Sequence, residues 1–176
     1  MSHRKKNIIE LTRCTLREYE EKEKFPIVVL LDNVRSSYNV GSVFRTADAF
    51  LIKKIILAGI TGTPPHPEIR KTALGAEESV AWEYVKDAVE SVEKLKKEGW
   101  KICVLEQAFE SIPLQNFIPV ANEKYILVAG NEVEGVNQKI LDKADCVLEI
   151  PQYGVKHSLN VSVSMGIALW QFVKNM

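Results

Sequence analysis

The stretch Leu148–Phe172, LEIPQYGVKHSLNVSVSMGIALWQF, constrains the fold more than any other part of the chain. A short apolar strand, Cys146 to Ile150, stops at Pro151. A polar turn follows with Tyr153, Gly154, His157, Ser158 and Asn160. Val161, Val163, Met165, Ile167, Ala168, Leu169, Trp170, Phe172 and Val173 then predict a helix that is apolar on nearly every side. A helix with no wet face is surrounded by protein, so this segment belongs inside a layered domain. Ser158 or Asn160 supplies its N-cap. Polar groups placed just before a buried helix gather where free backbone N–H groups point outward. Two readings follow: a capped core helix, or a ligand site.

The rest of the chain supplies the layers. Residues 1–24 read as a charged helical extension, with Ile8, Ile9, Leu11, Leu16 and Tyr19 as a partial apolar stripe. Pro26–Asp32, Lys54–Ala58, Lys101–Leu105, Lys124–Ala129 and Cys146–Ile150 are apolar runs, as expected of strands buried on both faces. Val80–Val85 is a further strand, by its alternation. Between them lie predicted helices. One is capped by Asn39 and runs to about Phe50. Others are a short helix within 68–78 that ends near Gly75, Ala88–Glu98 (capped by Asp87, closed by Gly99) and Val136–Ala144. Alternating strands and helices predict an α/β domain over 25–176, a mostly parallel sheet flanked by helices, with the chain forming a single domain overall.

Composition narrows the function. The 176 residues are 46% hydrophobic and carry formal net charge zero, so no global basicity announces a nucleic-acid partner. A local patch is available in His3, Arg4, Lys5, Lys6, Arg13 and Arg17, although acidic residues follow at once and an ordinary solvated helix explains the run equally. Cys14, Cys103 and Cys146 are scattered without CxxC spacing; Cys103 and Cys146 lie in strand-like runs and read as buried inert thiols, which fits a reducing cytoplasm. The apolar runs are too short to span a bilayer, and no secretory signal is expected. No metal-ligand cluster is present in the sequence.

Ligands of open α/β sheets bind off the carboxyl ends of strands. Asn33–Asn39, Gly130–Gly135 and Gln152–Asn160 leave strands that way, so the three loops are expected at one edge. The first leads into Arg45. That side chain either pairs with a carboxylate or holds a phosphate or developing oxyanion. The second, Gly130-Asn131-Glu132-Val133-Glu134-Gly135, lacks the GxGxxG spacing, and its acids would repel a pyrophosphate. Its ligand is then uncharged or cationic. In the third, His157 reads as surface decoration rather than as a general base. Gly59–Pro67 is a candidate substrate-facing loop.

Together these loops resemble the SpoU/TrmH family of methyltransferases in the SPOUT superfamily. The resemblance covers about Pro26 to Val173. It rests on NVGSVFRTADAF (Asn39–Phe50), LVAGNEVEGV (Leu127–Val136) and IPQYGVKHSLNVSVSMGIAL (Ile150–Leu169), in that order, with KTALGAEE (Lys71–Glu78) between. It implies a C-terminal trefoil knot, a homodimer with the site completed across the interface, and methyl transfer from S-adenosylmethionine to a ribose 2′-hydroxyl of RNA. Arg45 would stabilise the developing alkoxide and hold the neighbouring phosphate, with Asn39 orienting it. Glu132, Ser158 and Asn160 would position substrate or fix the loops. The cofactor would be held mostly by backbone near Leu105, Gly130, Ile150, Ser158 and Leu159, with Leu105 and Ile150 clasping adenine. Gln152 departs from a Met common in relatives and alters the pocket wall only. A tRNA target is preferred over rRNA, because the chain lacks a sizeable appended RNA-binding domain. The competing readings are an rRNA methyltransferase, a non-catalytic RNA-binding protein on the same fold, and a small-molecule methyltransferase.

Overall fold

The computed structural model describes residues 3–7, 10–11 and 14–176. Ile8, Ile9 and Arg13, which belong to the expected N-terminal stripe and basic patch, lie outside the described residues.

The sheet grows from the apolar runs. Its strands are β1 (Phe25–Asp32), β2 (Ile52–Ala58), β3 (Trp82–Val85), β4 (Lys101–Leu105), β5 (Ile112–Pro113), β6 (Tyr125–Ala129) and β7 (Cys146–Glu149). All pairings are parallel, in the order β3-β2-β1-β6-β4-β7-β5. β6 at the centre is buried along its whole length, which is why its sequence shows no alternation. Pro26 lacks an N–H to give to the ladder, and the β1–β2 register is irregular between Phe25 and Val28. The two-residue β5 lies in the stretch between β4 and β6, for which the sequence predicts no element; it pairs with β7 at the sheet edge.

Helices cover both faces. On one side α2 (Ser37–Ala49), α3 (Pro67–Ala73), α4 (Ala76–Ser79) and α7 (Val161–Val173) pack with α1 (Leu16–Glu21). Phe44, Ile69, Leu169 and Phe172 are fully buried there against Ile27, Val29 and Leu127. On the other side lie α5 (Ala88–Lys97) and α6 (Gln138–Leu141), whose Val92 and Ile140 meet Leu30, Ile102 and Val128.

Several helix boundaries differ from expectation, each for a local reason. The N-terminal helix is only Leu16–Glu21 among the described residues. Thr15 and Glu18 form a reciprocal capping box, which starts the helix there. The segment 68–78 is split in two, because Leu74 (φ 54°) and Gly75 (φ 94°) both take left-handed backbone. The Val136–Ala144 helix shrinks to Gln138–Leu141 because Asn137 caps it. Asn39 is not the cap of α2. Ser36 is, and it accepts the Asn39 N–H at 3.4 Å.

α7 is capped by Asn160 as expected, but it is not enclosed on every side. Val163, Ile167 and Trp170 are 50, 41 and 56% exposed. At helical spacing the three form one outward stripe. The tilted contact of Trp170 with Phe50, centroids 6.0 Å apart, continues that stripe to the end of α2.

Candidate functional site

The sheet order places the carboxyl ends of β1, β6, β4 and β7 side by side. The loops leaving them meet above that edge, where open α/β sheets bind ligands.

Loop 33–36 is held from both sides. Asn33 takes φ 55°, and its side-chain oxygen accepts the Ile60 N–H at 3.1 Å. Its carbonyl accepts the Asn131 side-chain amide at 2.9 Å. Thr61 is buried; it donates to the Leu31 carbonyl and accepts from Val34 N–H. The base of the Gly59–Pro67 loop is therefore tied to the end of β1.

Loop 130–135 closes on itself. Asn131 and Gly135 exchange backbone hydrogen bonds, both 3.0 Å, and the Asn131 side chain accepts from Val133 and Glu134 N–H. A methyl on Gly130 would strike the Gly135 carbonyl and the Val136 nitrogen. Here glycine is required by close approach rather than by φ.

Glu132 joins the two loops. Its Oε2 accepts Arg35 N–H at 2.9 Å, and its Oε1 accepts Ser36 N–H at 3.1 Å and the Asn39 amide at 3.0 Å. The carboxylate thus sits at the N-terminus of α2, where unpaired N–H groups and the helix dipole favour negative charge. Burial opposes ionisation, but the backbone donors of Arg35, Glu132 itself and Ser36, with the Asn39 amide, hold its carboxyl below the usual range.

The third loop enters through Asn160. Its amide donates to Asn39 Oδ1 at 3.0 Å, while its own Oδ1 accepts Ser162 and Val163 N–H at the start of α7. Asn39 is therefore shared between Glu132 and Asn160, and the N-terminal ends of α2 and α7 are locked together.

A cleft of about 590 Å³ opens beside this network, within the usual range for small-molecule sites. Leu105, Gly130, Ile150, Ser158 and Leu159 all line it, as do Glu132 and Asn160. Asn39 stands behind them as the buttress. Sequence reasoning missed Glu106 and Gln107, which also line it. They directly follow β4, so their place at a strand's carboxyl end was the available signal.

Arg45 is not part of this cleft. It is exposed and lines a separate hollow with Leu16, Lys22, Asp48 and Leu74. The salt bridges among the described residues do not include it. The chain by itself therefore brings together Asn39, Glu132, Ser158 and Asn160, and leaves Arg45 apart on the outward side of α2. No group of His, Cys, Asp or Glu among the described residues is arranged to hold a metal ion, and no helix described is long and apolar enough to cross a membrane.

Comparison with known proteins points one way. Residues 26–170 match the model of the SpoU rRNA Methylase family. A tRNA (guanosine(18)-2′-O)-methyltransferase of Aquifex aeolicus is 32% identical over 93% of this chain and 76% of its own length. A 23S rRNA (guanosine-2′-O-)-methyltransferase of Pseudomonas putida is 29% identical over 88% of this chain, which spans only 61% of that protein. Among solved structures, the Aquifex aeolicus TrmH/SpoU tRNA modifying enzyme superposes with TM-score 0.81, at 29% identity, over 91% of this chain and 80% of that one. An AdoMet-bound rRNA methyltransferase from Sinorhizobium meliloti gives TM-score 0.78 at 27% identity, over 85% and 56%.

Proposed function

The chain belongs to the SpoU rRNA methylase family, and from that premise we infer that it transfers a methyl group from S-adenosylmethionine to a ribose 2′-hydroxyl of RNA. The observation that carries this reading is the convergence of Glu132, Ser158 and Asn160 on one cleft, buttressed by Asn39. The cleft suits that donor. Leu105, Ile150 and Leu159 offer apolar walls for adenine. Glu106, Glu132 and Glu149 give an acidic lining that favours a cation over a pyrophosphate. When bound, the cofactor supplies an electrophilic methyl on a sulfonium centre.

The chain's own contribution is positioning and charge. Leu105, Gly130, Ile150, Ser158 and Leu159 hold the donor. The Asn39–Glu132–Asn160 network fixes the three loops so that little reorganisation accompanies binding. Arg45 holds the phosphate beside the target ribose and stabilises the oxygen as its proton leaves to phosphate or water. A guanidinium stays protonated, so Arg45 acts as cation and not as base.

Arg45 must then reach a cleft other than the one in its own chain. A homodimer accomplishes this, and the apolar stripe of Val163, Ile167 and Trp170 supports it. Each is already about half-covered in the single chain, so covering the remainder contributes about half of the ~1.5–3 kcal/mol of a full burial. α2 and α7 pack side by side, with Thr46 against Gly166, so a face built on that stripe would carry Arg45 towards the partner. The C-terminal knot expected of the family is part of the same proposal. β7 lying between β4 and β5 supports it, as does the return of α7 onto α2.

A tRNA substrate is favoured, because the relative 32% identical over 93% of this chain is named for tRNA. Residues 1–24 act as an RNA-contacting extension to the domain 25–176. A cytoplasmic location fits the free thiols of Cys103 and Cys146, 3.1 Å apart on neighbouring strands. The test is transfer of radiolabelled methyl from S-adenosylmethionine to total tRNA and to rRNA, followed by mapping of 2′-O-methyl positions. Label in tRNA that Arg45→Ala abolishes is expected. Label in rRNA alone overturns the choice of substrate, and label in neither RNA overturns the activity.

A further inference from the structure

Glu106 is the carboxylate of the cleft that backbone donors from two loops fix in place while leaving capacity on both oxygens. It follows Leu105 at the end of β4 and is half-buried. Its Oε1 accepts the Gln107 N–H at 2.9 Å, and its Oε2 accepts the Val136 N–H at 3.0 Å. Those donors come from two loops, so the carboxylate is clamped between them and cannot swing. Gly135 lies flat against it. A methyl there would run into Oε2, and φ 72° suits glycine in any case. An ionised carboxylate has about four acceptor positions. Glu106 uses one per oxygen on backbone and lines the cleft with the rest. Glu132, by contrast, already has its Oε1 filled by two of its three hydrogen bonds, and Glu149 is held by a single side-chain hydroxyl, Ser111 Oγ at 2.6 Å, with no backbone clamp.

We propose that Glu106 binds the vicinal diol of the methyl donor's ribose, one hydroxyl to each oxygen. The inference rests on reading the cleft as the cofactor site. Leu105 and Ile150 form the apolar wall for the purine, and the sugar is the group bonded directly to that purine. Glu106 is the next residue along from that wall. A rigid carboxylate with one free acceptor direction per oxygen matches two adjacent hydroxyl donors, and hydrogen bonds from O–H to a carboxylate are short and strong. The clamp from Gln107 and Val136 is what makes the match pre-formed.

The test is titration calorimetry of the full chain with S-adenosylhomocysteine, its 2′,3′-dideoxy analogue and 5′-methylthioadenosine. The last keeps base and sugar but lacks the amino-acid end. The wild-type chain is expected to bind the dideoxy analogue about 10- to 100-fold more weakly than S-adenosylhomocysteine. Glu106→Gln is expected to lose about the same factor on S-adenosylhomocysteine and on 5′-methylthioadenosine, and little on the dideoxy analogue. Equal wild-type affinity for the diol and dideoxy compounds overturns the proposal without needing any variant to fold. A Glu106→Gln loss confined to S-adenosylhomocysteine also overturns it, because the carboxylate would then read the ammonium end. If the wild-type chain binds none of the three, the cofactor reading itself falls, which is a different result from tight binding that ignores the diol.

Discussion

The Asn39 side chain donates to Glu132 Oε1 at 3.0 Å, across 93 positions of sequence. The same Asn39 accepts from Asn160 at 3.0 Å. One amide in the first turn of α2 therefore ties together the loop after β6 and the cap of α7. With both its ends engaged, Asn39 is fixed in orientation.

That relationship predicts the effect of Glu132→Gln. A neutral amide can accept on only one atom, so some of the Arg35, Ser36 and Asn39 donors lose their partner. The residue is exposed, so the cost is at the low end for hydrogen bonds to charge, about 1 kcal/mol. Thermal melting should show a drop of a few degrees, and calorimetry a weaker methyl donor. An unchanged donor affinity would mean that the loop keeps its shape without the carboxylate.

The same carboxylate sets a pH dependence. Its donors hold the folded-state value below the ordinary 4.5, so the folded chain binds that proton less tightly than the unfolded chain. The stability it contributes is complete above the ordinary value and is lost as pH falls through the lowered one. The Tm gap between wild type and Glu132→Gln should be flat from about pH 7 to about pH 5.5 and close in stronger acid. A gap that widens with acid would contradict the sign.

Arg45→Ala should leave folding intact, because the side chain is exposed and lines no part of the cleft. Its kcat should fall about 100-fold or more, with donor affinity within about twofold of wild type. Arg45→Lys should not restore the rate, since an ammonium lacks the planar fork. Mixing Arg45→Ala with a chain whose cleft is blocked by Gly130→Asp should recover about a quarter of wild-type activity, if each site draws on both protomers. No recovery after subunit exchange would place the whole reaction within one chain.

Ile167→Asp should yield a folded monomer that still binds donor but transfers no methyl. Its side chain is 41% exposed in the single chain, between Val163 and Trp170. Sedimentation analysis reads the mass directly. A dimer that persists would put the interface elsewhere.

Gly41→Ala should be costly although alanine favours helices. A methyl at Gly41 would meet the Ile69 carbonyl and Thr72 Oγ1, where α2 and α3 pack. Overpacking of this kind costs about 1–3 kcal/mol, readable as a lowered denaturant midpoint. A neutral result would mean that α3 slides aside freely.

Much of this was legible in the sequence because parallel strands are buried on both faces. Runs such as Tyr125–Ala129, short and apolar throughout, read as strands of that kind. The start of α2 was misread for a physical reason. Ser36, Ser37 and Asn39 are all residue types that cap helices, and the Glu132 bond to Ser36 N–H that supports the earlier start spans 96 positions, which no local pattern contains. Glu106 was missed likewise, because its meaning comes from the Val136 N–H, 30 residues on. The α7 helix taught a third lesson. An apolar stripe says only that water is unwelcome, and Val163, Ile167 and Trp170 read the same whether their cover is this chain or another. Ser158 and Leu159 line the cleft; only the three ordered motifs point to them in the sequence, and composition alone does not.

The contact of Asn160 with Asn39 spans 121 positions, which makes it the last stitch in a chain synthesised from its N-terminus. While translation is still among the middle strands, the α2 amide has neither of its partners and the edge of the sheet has no rim. Distant closures of this kind are slow compared with local helix formation. A nascent polypeptide therefore emerges as a scaffold whose cleft lacks one of its walls until α7 has docked.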